Sequence, residues 1–417
     1  MNIELLTQSY VAMKTSNIEA SKNEEFVRLF TNDFQEIENL EAILFSESSV
    51  EVEIHKEIIE VVGKIRLKID FLNWRLEVNE DLEREFQRAK NVLGCKGIYN
   101  WDKKEIVKLL KSKGFELNIL TKESLKPYRD DELITLLIEA LNYENKIELF
   151  KRLEGATDEV GIIKPKYHLY GSLSGRITSY NPNVQSLPKE YKKYVLPLRN
   201  GDKVYELDVK CSELIALAYL SKESLIFDLL LENTDPYTYV ALKIFPNYKG
   251  EVTKEMRKCF KALINGINLG MGNMGIMDLI NKQDFVQKKI NLDGAKEVKA
   301  RYFQIVPNIE NFLIGKEKVT ELKTILGHTH KVSPSYKNLS FFGQNLISST
   351  LKLTLKELKG YADVIVNIVH DSIWVSCNER ELLEIKAIME ESFGNGMLPK
   401  EYKEKGIELV KVEKIGG

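Results

Sequence analysis

The 417-residue sequence has no apolar run near the roughly 18 uninterrupted residues a membrane helix needs. Its first residues, MNIELLTQSYVAMK, lack the charged-then-apolar layout of a signal peptide. These absences predict a cytoplasmic protein with no membrane partner. Cysteine is scarce: the four residues Cys95, Cys211, Cys259 and Cys377 form no C-x-x-C pair, which excludes a disulfide framework and a cysteine zinc site. Charge of one sign is lacking too. With 60 basic and 62 acidic residues the net charge is −2, which excludes a wholly basic nucleic-acid coat but leaves room for local basic faces such as KEYKKYVLPLR, 189–199. No fixed-period repeat and no low-complexity linker occurs. What is present is a 43% hydrophobic fraction, ample for buried cores in roughly two to four domains.

Apolar spacing divides the chain into three parts. From Glu24 to Leu153, FVRLFTNDF, IHKEIIEVVGKIRLKIDFL, WRLEVNEDLEREFQRAKNVL and DELITLLIEALNYENKIELFKRL place apolar residues three or four apart, predicting long paired helices. A strand-like zone follows at GIIKPKYHLYGSL, and VYELDVK, Val204 to Lys210, is a strand running into the helical SELIALAYLSK. Helices are expected from Pro236 to Asn345, then the strand pair VIVNIVH and SIWVSC, the helix ELLEIKAIMEESF and a last strand IELVKVE.

Asp208 ends one of these strands and Asp371 interrupts an apolar run between two others. A sheet carrying all three could bring both carboxylates to one edge, where two such charges about 4 Å apart repel by roughly 4 kcal/mol at an effective dielectric near 20. Hard, oxygen-seeking cations, Mg²⁺ or Mn²⁺, are their natural company. A single Asp at a hairpin is more often a turn former bonding its own backbone. The third element is RKCFKALINGINLGMG, in which Thr253 is an N-cap and Arg257, Lys261, Asn265 and Leu269 recur along one helix face. Its two cations lie one turn apart, about 5.4 Å, and suit successive groups of a triphosphate, unless the face is merely solvated. Gly270, Gly272 and Gly275 spell G-x-G-x-x-G, but after a helix, so the dinucleotide-binding context is missing. His328 and His330 form H-x-H without a further ligand at zinc spacing, which favours a loop role. Trp101 and Trp374 read as core, and QKKINLDGAKEVKAR, 287–301, as phosphate-touching or solvated.

In order, SLSGRITSYNPNVQ, DVKCSELIALA, DPYTYVALKIF, RKCFKALINGINLG, FFGQN and VHDS resemble the motif series of the family A DNA polymerases, the bacterial polymerase I class. The resemblance implies an α+β right-hand polymerase fold with an antiparallel palm sheet, helical fingers and a helical thumb. The expected boundaries are a helical extension over 1–62, thumb 63–165, palm 166–234, fingers 235–335 and palm again 336–417. It implies DNA-templated addition of dNTPs to a primer 3′-hydroxyl on primer-template DNA. Two Mg²⁺ ions, with Mn²⁺ as the substitute, would be held by Asp208 and Asp371 in two-metal phosphoryl transfer. Lys261 would act in catalysis and, with Arg257, neutralise the triphosphate. Glu213 matches the steric gate against the sugar 2′ position. Asn265, Leu269 and Tyr237 complete the nucleotide-binding set. Arg176, Asn183, Gln185, Gln344 and His370 would touch primer or template.

The sequence departs from that pattern at several points. Ser372 stands where a glutamate usually follows the aspartate. Asn265 replaces an aromatic, Leu269 a tyrosine and Tyr237 a common histidine. In the family that tyrosine helps position the gate glutamate through a hydrogen bond that leucine cannot make, so relaxed exclusion of ribonucleotides is expected. Loss of the aromatic face at Asn265 predicts weaker nucleotide binding or altered fidelity. Fewer than about 65 residues precede the thumb-like stretch, short of a typical domain of 100 or so, which predicts a core without proofreading or 5′ nuclease. Such a compact core resembles those of phages or mobile elements. The extension is expected to scaffold, or to bind a replication partner. The alternatives are a primer-making or RNA-synthesising relative, disfavoured by Glu213, and an inactive primer-template binding protein, disfavoured by paired carboxylates that a polyanion would repel.

Overall fold

A computed structural model describes residues 50–416 apart from 284, 287 and 288. The helix expected over FVRLFTNDF and most of the 1–62 extension, with the partner role assigned to it, lie outside the described residues. So does the start of the 287–301 stretch, whose remainder forms the helix Leu292–Ile305 behind an Asn291 cap. Residues 66–165, 181–200 and 415–416 form one compact unit and the other described residues a second.

The first unit is mainly helical. Glu80–Cys95, Lys103–Ser112 and Glu132–Gly155 are its longer helices. Asp102 caps one by accepting from the N–H groups of Lys104 and Glu105, and Asp131 caps another by accepting from those of Leu133 and Ile134, which satisfies otherwise orphaned donors. Leu93, Leu110, Ile134 and Leu137 fill their common core. Trp101 lies beside it, its ring against Phe86 and its N–H donating to Glu144. Trp74 is fully buried, with ring centroids 4.8 Å from Tyr191 and 5.2 Å from Phe150.

One expectation fails in this unit. The helical pattern of IHKEIIEVVGKIRLKIDFL breaks after Gly63, and Leu67–Ile69 is the middle strand of a small antiparallel sheet between Ile162–Ile163 and Val195–Leu196. Leu67 and Ile69 are buried with Lys68 half-buried between them, a period of two that a three-residue strand hides within helical spacing.

The second unit is built on a four-stranded sheet. Its strands are β1 (Lys203–Val209), β2 (Ile365–Val369), β3 (Ser372–Cys377) and β4 (Val410–Gly416, in this unit as far as Lys414), in the order β4-β1-β3-β2. The β1–β3 and β2–β3 pairs are antiparallel, and Ser372 stands opposite Asp208 and Trp374 opposite Glu206. Every residue of β3, Trp374 included, is buried, so both of its faces are covered. β4 begins three residues later than IELVKVE predicts. The amides of Leu409 and Val410 donate to the Glu390 carboxylate at 2.8 and 3.0 Å, and Gly406 before them turns at φ +75°.

The helices of this unit include α1 (Ser212–Ser221), α2 (Pro236–Ile244), α3 (Lys254–Asn268), α4 (Leu339–Glu357) and α5 (Glu379–Met397). The stretch expected to be helical from Pro236 to Asn345 also contains a hairpin, Glu321–Lys323 with Thr329–Lys331. Leu322 and His330 are buried between exposed neighbours, and Gly327 turns the chain at φ +98°. His328 therefore sits in the turn and His330 on the strand, beside the Tyr170 hydroxyl.

Candidate active site

Register brings the two aspartates together. Asp208 is the penultimate residue of β1, opposite Ser372, and Asp371 precedes Ser372 in the two-residue loop joining β2 to β3. Both lie at the same end of adjacent strands. A left-handed residue redirects the chain near each: His370 at φ 58°, directly before Asp371, opens the hairpin loop, and Cys211 at φ 50°, three residues after Asp208, turns β1 into α1. Such conformations cost a side-chain-bearing residue about 1–2 kcal/mol and recur where a site needs a chain held in one place. The Ser212 hydroxyl, at the start of α1, donates to the Asp371 carboxylate. Ser372, at the position where a third acid was expected to be missing, turns its hydroxyl to Glu206 and to the Val369 carbonyl, at 3.2 and 3.0 Å, and Trp374 donates to the same Glu206 oxygen at 3.0 Å.

The α3 helix forms because its sequence is amphipathic. Met256, Cys259, Phe260, Leu263, Ile264 and Ile267 are buried on one face. Thr253 caps its start by accepting from the Met256 N–H. Its end is a Schellman motif: Gly270, at φ +88°, donates to the Ile267 carbonyl and Met271 to that of Gly266. The G-x-G-x-x-G sequence is thus a helix stop, followed by Gly272 as the N-cap of Asn273–Asn281. Leu269 is the C-cap residue, beyond the regular face it was expected to share.

Arg257, Lys261 and Asn265 do share that face, and the Tyr237 ring of α2 lies beneath it. Its centroid is 5.9 Å from the Arg257 guanidinium and 6.0 Å from the Lys261 ammonium, within cation–π range. The Tyr237 hydroxyl donates to the Asn265 side-chain oxygen at 2.9 Å, and the Asn265 amide donates to Glu213 at 2.7 Å. The other Glu213 oxygen is 3.8 Å from the Arg176 guanidinium. Burial pushes the Tyr237 phenol well above its ordinary pKa, so it stays a donor.

Arg257 is engaged as well. It grips Asp235 with two N–H groups, at 2.6 and 3.0 Å, while Asp235 accepts from the Thr238 amide and hydroxyl as the N-cap of α2. Burial raises the Asp235 pKa, but the guanidinium and the Thr238 donors outweigh it, so the carboxyl lies below its usual range.

Two clefts share Tyr237 and Lys261. One, of about 190 Å³, is lined by Arg176, Ser212, Glu213, Ile347, His370 and Asp371. The other, of about 400 Å³, holds Asp208, Asp235 and Arg257, with Lys411 and Glu408 at its side. His370 is exposed at the first cleft. Desolvation against the wall, then the Arg176 guanidinium, lowers its pKa, with Asp371 and Glu213 opposing.

Arg176 is placed from α4. Its loop, between the strands Lys166–His168 and Thr178–Tyr180, is tied down by the buried Asn345 amide donating to the Ser174 carbonyl at 3.1 Å and by the Ser348 hydroxyl donating to Gly175 at 2.6 Å. Gln344, adjacent to Asn345, is half-buried on α4 and lines neither cleft. Asn183 and Gln185 belong to the first unit, where Asn183 caps a short 3₁₀ turn by accepting from the Gln185 N–H. Sequence reasoning passed over Asp235, Ser212 and Asn345. The Asp-Pro at Asp235 is a legible helix start, but its ion pair with a residue 22 positions away is not.

Among the described residues no group of three or more His, Cys, Asp or Glu side chains could hold a metal by itself. A pair of carboxylates nonetheless fits Mg²⁺, which takes one or two carboxylates and completes its shell with water and substrate phosphates.

The fold is a right-hand polymerase fold. It superposes with TM-score 0.71, at 16% identity, on the solved structure titled "POL domain of Pol1 from M. smegmatis complex with DNA primer-template and dNTP", covering 98% of this chain and 77% of that one. Residues 101–332, more than half of the sequence, match the family described as DNA polymerase family A, and the chain belongs to that family. It is similar to DNA polymerase I of Aquifex aeolicus (strain VF5), 25% identical over 313 residues, 69% of this chain and 53% of the relative. DNA polymerase I of Caldicellulosiruptor bescii is 23% identical over 240 residues, 56% of this chain and 26% of the relative. The chain thus spans about half, or less, of the length of the curated relatives it matches.

Proposed function

We propose that the chain is a DNA-directed DNA polymerase that adds deoxynucleotides to a primer 3′-hydroxyl. The observation that carries the reading is the convergence of Asp208 and Asp371 at one end of the sheet with the cationic face of α3 beside them. Asp208 and Asp371 would hold the divalent ions. When bound, these supply charge neutralisation on the phosphates and a lowered pKa at the attacking hydroxyl. The chain's own groups do the rest. Lys261, common to both clefts, neutralises charge on the triphosphate, and Arg257 adds a bidentate grip once it leaves Asp235. Ser212 fixes Asp371 for its role by donating to it. Arg176 and His370, at the rim of the smaller cleft, face the primer end, and the helices of the first unit would serve as the thumb on duplex DNA.

The test is primer extension on a recessed DNA template with Mg²⁺ and dNTPs, beside Asp371→Asn. Template-dependent extension that the substitution abolishes is the expected result. Tight primer-template binding without extension would replace this reading with a binding role.

A further inference from the structure

Glu213 raises a problem that its own helix does not solve. A glutamate on the first turn of α1 has three side-chain torsions, and a carboxylate facing a cleft that is to receive a polyanion gains by swinging out to water. The structure shows what prevents this. One oxygen accepts from the Asn265 amide at 2.7 Å, and the other lies 3.8 Å from Arg176. Because a carboxylate only accepts, the Asn265 NH₂ must face Glu213 and its oxygen must face Tyr237, which donates at 2.9 Å. The Tyr237 ring is 1% exposed and held between α2 and the cations of α3, so the chain of bonds ends on an immobile anchor.

We infer that Asn265 is a positioning residue, and that the Tyr237–Asn265–Glu213 chain fixes the carboxylate that discriminates deoxyribose from ribose. The inference rests on the polymerase reading above. A carboxylate bonded through one oxygen to Asn265 and drawn through the other toward Arg176 resists retreat from a 2′-hydroxyl, whereas a free one can rotate aside and admit it. It replaces the expectation of relaxed sugar selection drawn from Leu269: that residue ends α3, and the donor to Glu213 comes from one turn earlier.

The test compares kcat/KM for a dNTP and the matching rNTP opposite one template base in the parent, Asn265→Leu and Tyr237→Phe. Asn265→Leu keeps the branched heavy-atom shape and removes both bonds. The dNTP:rNTP ratio should fall about tenfold or more, equivalent to roughly 1.4 kcal/mol of lost discrimination. Tyr237→Phe keeps the ring and loses only the anchor, and should lower the ratio in the same direction by a smaller factor. A purely structural role would depress both substrates alike, and an unchanged ratio in Asn265→Leu overturns the inference while leaving the polymerase standing. A parent that extends with neither sugar sinks the polymerase reading instead. The bond is then judged by denaturant unfolding of Asn265→Leu, Glu213→Met and the double variant: effects smaller together than their sum support it, and strict additivity refutes it.

Discussion

Arg257 cannot grip a phosphate with its full fork while that fork is on Asp235. With contacts of 2.6 and 3.0 Å, the charge centres are about 4 Å apart, and at an effective dielectric near 20 the attraction before desolvation is about 4 kcal/mol. The Arg257 and Asp235 side chains are 45% and 28% exposed, so water screens most of it. The net value falls to the upper end of exposed pairs, about 1 kcal/mol, kept there by the bidentate geometry. Asp235→Asn removes the pair and retains an N-cap acceptor for Thr238, since Asn and Asp cap about equally well. The released guanidinium then meets the triphosphate without first breaking a bond, and one negative charge leaves the cleft. Both changes have the same sign. The KM for dNTP in primer extension should fall about fivefold at low salt, and the difference should shrink as salt rises. An unchanged or higher KM would refute the competition and make Asp235 the group that pre-aims Arg257. The assay is clean at neutral pH, because the Asp235 pKa is depressed and the carboxylate is fully ionised there. Its stabilising contribution is present above the ordinary carboxyl range and is lost only as pH falls through the lower folded value.

Asn345→Ala should destabilise the chain by about 2–4 kcal/mol in urea unfolding, because it strips partners from the Ser174 carbonyl and the Ile325 amide next to a 1%-exposed side chain. It should also weaken primer-end binding through the loosened Arg176 loop. Glu408 is held down to about 2, first by Lys210 and then by Lys386. Its contribution is present above the usual carboxyl range and lost as pH falls toward 2, so Glu408→Gln should lower the neutral plateau of a stability–pH profile, flatten its acid limb and converge with the parent near pH 2. Leu269→Tyr should leave the dNTP:rNTP ratio within about twofold, because the Glu213 oxygen on the α3 side is already bonded to Asn265; a large rise in selectivity would show that Glu213 was not held.

What the sequence made legible was the work of short-range patterns. The alternation of VYELDV, the two-residue break in IVHDSI and the amphipathic spacing of α3 are local signals, and they supply the strands whose pairing sets Asp208 near Asp371. What stayed illegible depended on contacts distant in the chain or on elements too short to show a period. Leu67–Ile69 is three residues long and hides inside a helical spacing until Ile162 and Val195 pair with it. Arg257 looked like a free cation because nothing in its own helix reveals Asp235. Asn265 looked like a lost stacking surface because its partners come from α1 and α2.

Tyr237, Asn265 and Leu269 each read as a separate loss when compared one at a time with what relatives carry. Placed in the fold they depend on one another. Tyr237 brings a hydroxyl as donor, which permits an amide at Asn265, and the amide's remaining donor reaches Glu213, which removes the need for a bonding side chain at Leu269. A phenyl ring at position 265 would leave the buried Tyr237 hydroxyl without its acceptor, at a cost of about 1–3 kcal/mol. Phenylalanine at 237 would leave the Asn265 oxygen without its donor. Substitutions that cost stability singly and are tolerated together behave as a unit, so the departures at these positions need not record a decaying catalyst. They describe a different way of holding the same carboxylate.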